Sequence, residues 1–363
     1  MRRARGIKAA ALLLAGGMAL SACASDETSG GTASSGSAGG AAGSSASGDL
    51  KVGLAYDTGG RGDNSFNDSA YLGVENAVKE LGGDLRELTP NEDASNRPEL
   101  LSQLAEQGFN PVIAVGFAYG DIISDIASDF PDTTFAIVDS SGLDADGKPL
   151  GAGNVTGLQF ASEQGSFLAG AAAALKSEAN HVGFVGGVET PLIQTFQAGF
   201  AAGAEAAKPG ITVDVKYISP AGDFSGFSDP ARGQIVAQGI FDSGADVVYH
   251  AAGASGGGVF TAAAASGKKA IGVDSDQYQT VDDPAQKAVI ITSMLKRVDN
   301  AVQGFITDFS EGKAKGGADV VNDLSTDGVG LSYSGGFIDD IKPQIDDYAD
   351  QIKSGAIKVP TAP

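Results

Sequence analysis

The sequence predicts an α/β fold made of two similar lobes, each built on a parallel β-sheet, with a cleft between them. Short apolar runs alternate with amphipathic segments from residue 51 to residue 293, and the whole series occurs twice. This alternation is typical of a parallel sheet with helices on both faces. About 315 residues follow the low-complexity N-terminal part, which is enough chain for two lobes with their own cores.

The first 22 residues have the pattern of an export signal. Four basic residues, Arg2, Arg3, Arg5 and Lys8, precede an apolar run over 9–20 that is too short to span a bilayer but has the length of a signal-peptide core. The run ends in Leu-Ser-Ala-Cys, which resembles a bacterial lipobox, and Cys23 is the only cysteine in the chain. We expect a lipoprotein signal peptide over 1–22 and lipidation at Cys23. The alternative is a signal peptide whose odd cysteine stays free or pairs with another chain.

The next segment, 23–49, is predicted to be a tether. Residues 24–48 are almost all Gly, Ser, Ala and Thr, with Asp26 and Glu27 as the only charges, so they cannot form a core. A tether behind a lipid anchor holds a globular domain off the outer face of a membrane.

The charge balance excludes several function classes. Removing residues 1–22 takes away 4 of the 24 Lys and Arg and none of the 45 Asp and Glu, so the remaining chain carries 20 minus 45, or −25. Nucleic-acid and anionic-lipid binding usually need a basic patch, and we expect neither. Because no cysteine follows Cys23, we expect the domain to be stabilised by packing without disulfides.

The predicted strands and helices fall into two successive sets. The strand candidates are 51–56, 83–88, 111–115, 134–138 and 155–158, followed by 181–185, 212–218, 246–249, 269–273 and 289–293. The helix candidates between them are 69–81, 98–107, 165–175, 194–206, 230–241 and 256–266. We expect 50–157 with about 297–325 to form one lobe, and 158–296 with about 326–363 to form the other.

The loop after the first strand has the clearest ligand chemistry. Residues 63–67, Asp-Asn-Ser-Phe-Asn, bring two amides, a carboxylate and an aromatic ring to the carboxyl end of a strand, where open α/β sheets bind small molecules. We interpret Phe66 as stacking on a flat ligand and Asn67 as reading its edge. The alternative is a helix N-cap, Asn64 or Ser65, followed by a core phenylalanine.

Loops after later strands of both sets carry further candidates. Asp121 lies at a predicted helix start, where it can accept from a ligand N–H or simply interact with the helix dipole. Phe196 follows the loop 186–191, and Phe227 lies in the polar loop 222–230 that leads into a helix beginning with Pro. The Gly-rich stretch 250–258 lacks the features of a phosphate-binding loop. We expect its glycines to let a helix N-terminus approach a ligand closely.

Two charged residues follow strands of the second set. Asp274 comes just past a buried strand, where a carboxylate can accept from both vicinal hydroxyls of a furanose. Lys296 can donate to the same hydroxyls; its alternative is an ordinary exposed lysine beside Arg297.

Seven fragments in order resemble the basic membrane protein (BMP) family of bacterial lipoproteins, which includes purine nucleoside receptor A-like substrate-binding proteins of ABC transporters. They are 63–67, 116–121, 163–170, 182–187, 251–253, 272–277 and 352–360. The resemblance covers nearly all of the chain after the tether. It implies a type I periplasmic-binding-protein fold, in which two doubly wound parallel-sheet lobes joined by a hinge close on a ligand in the cleft.

The resemblance also implies a function and a site. The function is capture of nucleosides, purine by expectation, by a lipid-anchored monomer on the extracytoplasmic face of a bacterial cell membrane, for delivery to an ABC permease. No cofactor and no metal are implied. The implied ligand-binding residues are Asn64, Phe66, Asn67, Asp121, Phe196, Phe227, Gly253, Asp274 and Lys296.

Within that set the resemblance assigns individual roles. Phe66 lies on one face of the purine and Phe227 on the other, with Phe196 held in reserve for the second face. Asn67 and Asp121 contact the base. Asp274 and Lys296 hold the ribose hydroxyls, and Gly253 allows close approach.

Other functions stay open from the residues themselves. The same fold serves receptors for pentoses, autoinducers and other small sugars, and a surface lipoprotein without a transport role is also possible. A nucleoside hydrolase or phosphorylase is disfavoured because His181 and His250, the only histidines, lie in no nucleophile–base arrangement.

Overall fold

The computed structural model describes residues 50–314 and 316–363. The predicted signal peptide (1–22), the tether (23–49) and the lipidation site Cys23 lie outside the described residues. Over the described ranges, no helix is both long enough and apolar enough to cross a membrane.

Twelve strands form two six-stranded sheets in the described chain. The strands are β1 Lys51–Tyr56, β2 Asp84–Leu88, β3 Val112–Val115, β4 Phe135–Val138, β5 Val155–Phe160, β6 His181–Val188, β7 Thr212–Ser219, β8 Val247–Ala251, β9 Lys269–Asp274, β10 Ile290–Lys296, β11 Ala318–Asn322 and β12 Val329–Leu331. The first sheet has the order β11-β5-β4-β3-β1-β2, and all its pairs are parallel. The second has the order β12-β10-β9-β8-β6-β7, and only β12 runs antiparallel to its neighbour. Two parallel-sheet lobes are therefore confirmed.

Eleven α-helices of the described chain cover these sheets. They are α1 Phe66–Leu81, α2 Arg97–Glu106, α3 Ile123–Asp129, α4 Ser162–Lys176, α5 Pro191–Ala207, α6 Pro230–Asp242, α7 Gly256–Ser266, α8 Gln277–Thr280, α9 Pro284–Lys287, α10 Val298–Ser310 and α11 Lys342–Lys353. Below, lobe I means the first sheet with α1, α2, α3 and α10, and lobe II means the second sheet with the other helices.

Each sheet separates two hydrophobic cores. In lobe I one core packs under α1 and α10, and the other packs under α2 and α3. In lobe II one core lies under α4, α5 and α11, and the other under α6 and α7. Every residue of β3 is buried, as expected for an unbroken apolar run with helices on both faces.

Helix α5 packs closely against α4, and this contact sets the position of α5 relative to the cleft. An added Cβ at Gly199 would lie 2.2 Å from the carbonyl oxygen of Glu163, and one at Gly203 would lie 1.9 Å from that of Phe167. Only glycine permits this contact between α5 and α4. It fixes the N-terminal turns of α5, which carry Phe196.

Candidate functional site

The main cavity lies between the lobes at the carboxyl ends of the strands. It encloses about 950 Å³ of empty space when its open mouth is included. Its walls include residues at or just after the carboxyl ends of β1, β3 and β4 in lobe I and of β8, β9 and β10 in lobe II. This is the position where open α/β sheets bind ligands.

Seven of the nine predicted site residues line this cavity. They are Phe66, Asn67, Phe196, Phe227, Gly253, Asp274 and Lys296. The structure does not bring the other two to the cavity wall. Asn64 has a left-handed backbone (φ 53°), its N–H donates to Asp68, and its carbonyl oxygen accepts from Thr280 of lobe II at 3.2 Å. Asn64 therefore lies in the contact between the lobes.

Asp121 lies in a second, more open depression beside the cavity. A short 3₁₀ helix, Phe117–Tyr119, turns the chain after β3 and leaves Asp121 exposed beyond it. The depression is also lined by Ser140 and Thr190, and it shares the walls Phe117 and Leu192 with the main cavity. Contact between Asp121 and a base in the main cavity stays a prediction that this placement does not support.

The start of α1 combines a structural cap with a ligand-facing surface. The carboxylate of Asp63 accepts from the backbone N–H groups of Ser65, Asn67 and Asp68 at 3.0, 2.8 and 3.1 Å. Burial raises the pKa of Asp63 to about 6 despite these donors. Asp63 thus satisfies the helix start, which explains why α1 begins three residues before the predicted helix.

The alternative interpretation of Ser65 as a helix N-cap holds for its position but not for its side chain. Ser65 is the N-cap residue by position, but its side chain makes no capping bond. Its hydroxyl instead donates across the cleft to Oδ2 of Asp274 at 2.6 Å. The following Phe66 ring is half-buried and both packs on the lobe I core and lines the cavity.

Asn67 presents an acceptor that has no donor. Its side-chain N–H groups donate to the carbonyl oxygens of Thr58 and Gly60 at 3.1 and 3.0 Å. Both contacts are carbonyls, so the orientation of the amide is fixed. The buried Oδ1 has no hydrogen-bond partner in the described chain. A buried acceptor left in this state costs about 1–3 kcal/mol.

Lys296 is a buried cation, so its interpretation as an ordinary exposed lysine is wrong. Its side chain is only 2% exposed, and its ammonium pairs with the carboxylate of Asp139, which is 5% exposed. The Nζ atom also lies 4.7, 5.1 and 5.6 Å from the ring centroids of Phe66, Phe160 and Phe196. Oδ1 of Asp139 is buried and has no partner among the described residues.

Asp274 closes the floor of the cavity from lobe II. It is the last residue of β9 and has a left-handed backbone (φ 63°), which an aspartate tolerates better than most residues. Burial raises the pKa of its carboxyl, while Lys296 and the Ser65 hydroxyl oppose the rise. Oε1 of Gln277 accepts from the N–H of Val273 at 2.9 Å and contacts Nε2 of His250 at 3.1 Å, which fixes the turn that carries Asp274.

Four phenylalanines line the cavity: Phe66 and Phe117 from lobe I, and Phe196 and Phe227 from lobe II. Phe196 is 3% exposed and belongs to the lobe II core. The ring of Phe227 lies over Gly187, where an added Cβ would be 2.5 Å from a ring carbon. Both lobe II rings line the cavity, Phe196 from the core and Phe227 from the loop before α6.

The glycines of 250–258 have different roles from the one expected. An added Cβ at Gly256 would lie 2.0 Å from the His250 ring, and one at Gly258 would lie 1.9 Å from the carbonyl oxygen of Pro230. These two glycines serve packing around β8 and between α6 and α7. Only Gly253, with φ 52°, lines the cavity.

Asp57 and Asp139 were not predicted as site residues. Each directly follows a strand, β1 or β4, and this position was the signal that could have identified them. Burial raises the pKa of Asp57 to about 7, opposed by the N–H of Ala118 and by Arg97. Gly116, with φ 117°, provides the space, because an added Cβ there would lie 2.0 Å from the Asp57 carboxylate.

The lobes are closed on each other in this structure. Besides the bond from Ser65 to Asp274, the Ser275 hydroxyl donates to the carbonyl oxygen of Ser65 at 2.9 Å. Phe117 of lobe I lies 5.6 Å from Phe224 of lobe II, centroid to centroid. The cavity is thus bounded by both lobes.

The charged residues that line the cavity are Asp57, Asp63, Asp139, Asp274, Arg61 and Lys296. Carboxyl groups outnumber cations there, and the buried cation is already paired. A dianionic phosphate would meet like charge at short range, so the arrangement favours a neutral ligand rich in hydrogen-bond donors.

Residues 50–362 match the sequence model of the Bmp family, described as ABC transporter substrate-binding protein PnrA-like. The CD4+ T-cell-stimulating antigen of Listeria innocua is 34% identical over 374 residues, covering 98% of each chain. The ABC transporter nucleoside-binding protein BmpA of Lactococcus lactis is 33% identical over 375 residues, covering 98% of this chain and 99% of that one. Among solved structures, an ABC transporter solute-binding protein from Aeropyrum pernix superposes with a TM-score of 0.73 at 27% identity, covering 86% of this chain and 94% of that one.

Proposed function

The chain belongs to the Bmp family of PnrA-like ABC transporter substrate-binding proteins, and from that premise we propose that its cleft captures a purine nucleoside for delivery to an importer. Its family and fold are those of solute-binding proteins, not enzymes. One relative of similar length is named as a nucleoside-binding protein. The proposal extends that ligand class to this chain and specifies the purine.

The observation that carries the proposal is the meeting, in one cavity, of aromatic rings from both lobes with the buried residues Asp274 and Lys296. A flat base needs apolar ring faces, and stacking on a protein aromatic is worth about 1–3 kcal/mol per base. A ribose needs polar partners for vicinal hydroxyls. Few ligands other than nucleosides combine these two demands.

The base edge would be read by Asn67 as an acceptor. Since both of its N–H groups are used by Thr58 and Gly60, only Oδ1 is available to a ligand, and it needs a donor. Adenosine offers its exocyclic amine, while inosine and guanosine offer the ring N1–H. Asn67 thus favours purines with a donor on this edge without choosing among the three.

The ribose would be held by Asp274 and the ion pair of Lys296 with Asp139. Oδ2 of Asp274 already accepts from Ser65, so its remaining acceptor capacity is what a sugar hydroxyl would use. Lys296 keeps donor capacity beyond its bond to Asp139, because an ammonium has three N–H groups. A ribose hydroxyl at this position would donate to the carboxylate of Asp274 and accept from the ammonium of Lys296.

Closure would depend on the ligand. In the closed structure Oδ1 of Asn67 and Oδ1 of Asp139 are buried and have no hydrogen-bond partner among the described residues, which disfavours an empty closed state. A ligand that donates to them removes this cost only when the lobes are together. That difference between the two states is what a ligand needs in order to shift the equilibrium toward closure.

The N-terminal pattern supports a lipid anchor at Cys23, which would keep the domain on the extracytoplasmic face of the cell membrane. The tether that follows would give it the reach to meet an ABC permease. We propose a monomer whose only membrane attachment is the lipid. Labelling with a radioactive fatty acid, lost in a Cys23→Ala variant, tests the anchor.

The ligand proposal is tested by calorimetry on residues 49–363, because the chain has no tryptophan to report binding. The panel is adenosine, guanosine, inosine, cytidine, adenine, ribose and adenosine monophosphate. We expect purine nucleosides to bind with micromolar or tighter affinity, and the free base, ribose and the monophosphate to bind at least about tenfold more weakly.

Asp274→Asn serves as the matched variant in that panel. This variant should reduce the difference in affinity between nucleoside and free base, because it weakens the contact with the sugar only. If only ribose binds, the protein is a sugar receptor. If nothing in the panel binds, the proposal of a nucleoside ligand is contradicted.

A further inference from the structure

We propose that Arg97, Phe117 and Phe224 form a rim clasp that holds the two lobes closed and sets how long a ligand stays bound. Arg97 begins α2 in lobe I, and Phe224 lies in lobe II in the short 3₁₀ helix Phe224–Phe227. The inosine arm of the test below rests on the proposed function. The conformational arm does not.

Arg97 connects the cavity-lining loop after β1, residues 57–63, to an aromatic ring of lobe II. Its Nε donates to the carbonyl oxygen of Asp57 at 2.6 Å, and an Nη donates to the Thr58 hydroxyl at 3.2 Å. Its guanidinium carbon lies 4.8 Å from the Phe224 ring centroid, within the range of a cation–π contact. One side chain therefore fixes the loop that lines the cavity and contacts the opposite lobe.

Helix stability does not explain Arg97. A cation in the first turn of a helix opposes the helix dipole, which favours acidic residues there. Glu99 fills that favourable role in α2. The geometry of Arg97 is instead accounted for by its two bonds to the chain after β1 and its ring contact across the cleft.

The rings of the rim clasp have little else to pack on. Phe117 lies 5.6 Å from Phe224 and 6.3 Å from Phe227, centroid to centroid. Within the described chain neither Phe117 nor Phe224 is a member of the four hydrophobic cores. Opening of the cleft would separate Phe117 and Phe224 and expose both to water, so their contact favours closure.

The rim clasp is also coupled to the ligand cavity. Phe117 and Phe227 line the cavity, and Phe227 belongs to the same 3₁₀ helix as Phe224. Asn67 holds the carbonyls of Thr58 and Gly60 from the other side of the loop that Arg97 anchors. Opening of the cleft to release a ligand would therefore break the rim clasp.

The test compares Phe224→Ala, Arg97→Ala and the double variant with wild type, using residues 49–363 immobilised for surface plasmon resonance with inosine. The control is Ile235→Ala, which removes a side chain that is 71% exposed on α6 of lobe II. We expect each single variant to raise the dissociation rate about three- to tenfold, as loss of one such contact implies. The control should leave it unchanged.

The double variant distinguishes a clasp from independent local damage. Because Arg97 and Phe224 touch only across the cleft, the effect of the double variant should be less than the product of the single effects. Arg97→Lys should recover part of the loss, because it keeps the charge. Unchanged dissociation in both single variants, or fully multiplicative effects, would overturn the rim clasp.

The conformational arm uses spin labels on the ligand-free domain. Residues 49–363 contain no cysteine, so Lys79→Cys in lobe I and Asp242→Cys in lobe II can be labelled cleanly. We expect Phe224→Ala to reduce the population at the short interlobe distance. If inosine does not bind wild type, the proposed function fails and this arm alone decides: a reduced short-distance population supports the rim clasp, and an unchanged distribution overturns it.

Discussion

Replacement of Lys296 by methionine should destabilise the closed domain more than any other single change in the cavity. The substitution keeps a long side chain among Phe66, Phe160 and Phe196 but removes the cation. Asp139 would then be a buried, unpaired carboxylate, and Asp274 would lose the charge that opposes the rise of its pKa.

The size of the effect follows from burial. The side chains of Lys296 and Asp139 are 2% and 5% exposed, so the pair is almost fully withdrawn from water. Removing one partner of such a pair costs about 3–5 kcal/mol. The loss should be larger at pH 8 than at pH 5, because removal of Lys296 takes away a charge that opposes the rise in the pKa of Asp274, and a carboxyl whose folded pKa is raised loses stability as pH rises.

Urea unfolding of residues 49–363, followed by far-UV circular dichroism, measures this loss. The matched double variant combines Lys296→Met with Asp139→Asn, so that the unpaired carboxylate of Asp139 is also removed. It should recover most of the stability without recovering ligand affinity, so that folding and binding are separated. A loss below about 1 kcal/mol in the single variant, the value of an exposed pair, would refute the reasoning.

Three further outcomes are expected. Phe66→Ala should weaken inosine binding at least about tenfold, measured by calorimetry, and should also lower the melting temperature because the ring packs on the lobe I core; unchanged affinity would remove Phe66 from the site. Phe196→Ala should lower stability more than Phe227→Ala does, because Phe196 is a buried core residue whereas Phe227 is only partly buried against that core; the reverse order would contradict their assigned packing. Asp57→Asn should stabilise the domain relative to wild type at pH 8 but not at pH 4, by up to about 4 kcal/mol, because burial raises the pKa of Asp57 from 3.8 to about 7 and the folded state resists its ionisation. A stability difference that does not grow with pH would contradict the burial of an ionisable group there.

The sequence predicted the strands well because their signal is local. Each of the ten predicted strands occurs with a start that differs by at most one residue. The predictions missed the edge strands β11 and β12: β11 has three exposed residues and β12 is only three residues long, so neither has the unbroken apolar run of a central strand. Helices α10 and α11 were missed although both are clearly amphipathic, so this signal was present and unused.

The sequence was sufficient to predict most residues of the site, but not which of them contact each other. Position after a strand identified Asp274, and the same rule applied to Asp57 and Asp139 would have found them. The partnership of Lys296 with Asp139 joins residues 157 apart in sequence, on different lobes, and no local pattern encodes it. The same holds for Ser65 and Asp274, which are 209 apart and meet only because the lobes close.

The most direct test of nucleoside recognition compares inosine with purine riboside by calorimetry on the same preparation of residues 49–363. Purine riboside keeps the ring faces and the ribose but has no N–H donor on its base. Since Asn67 offers only Oδ1, we predict that inosine binds with micromolar or tighter affinity and that purine riboside binds at least about tenfold more weakly. Equal affinity for the two would contradict the role of Asn67, and failure of both to bind would contradict the purine nucleoside itself.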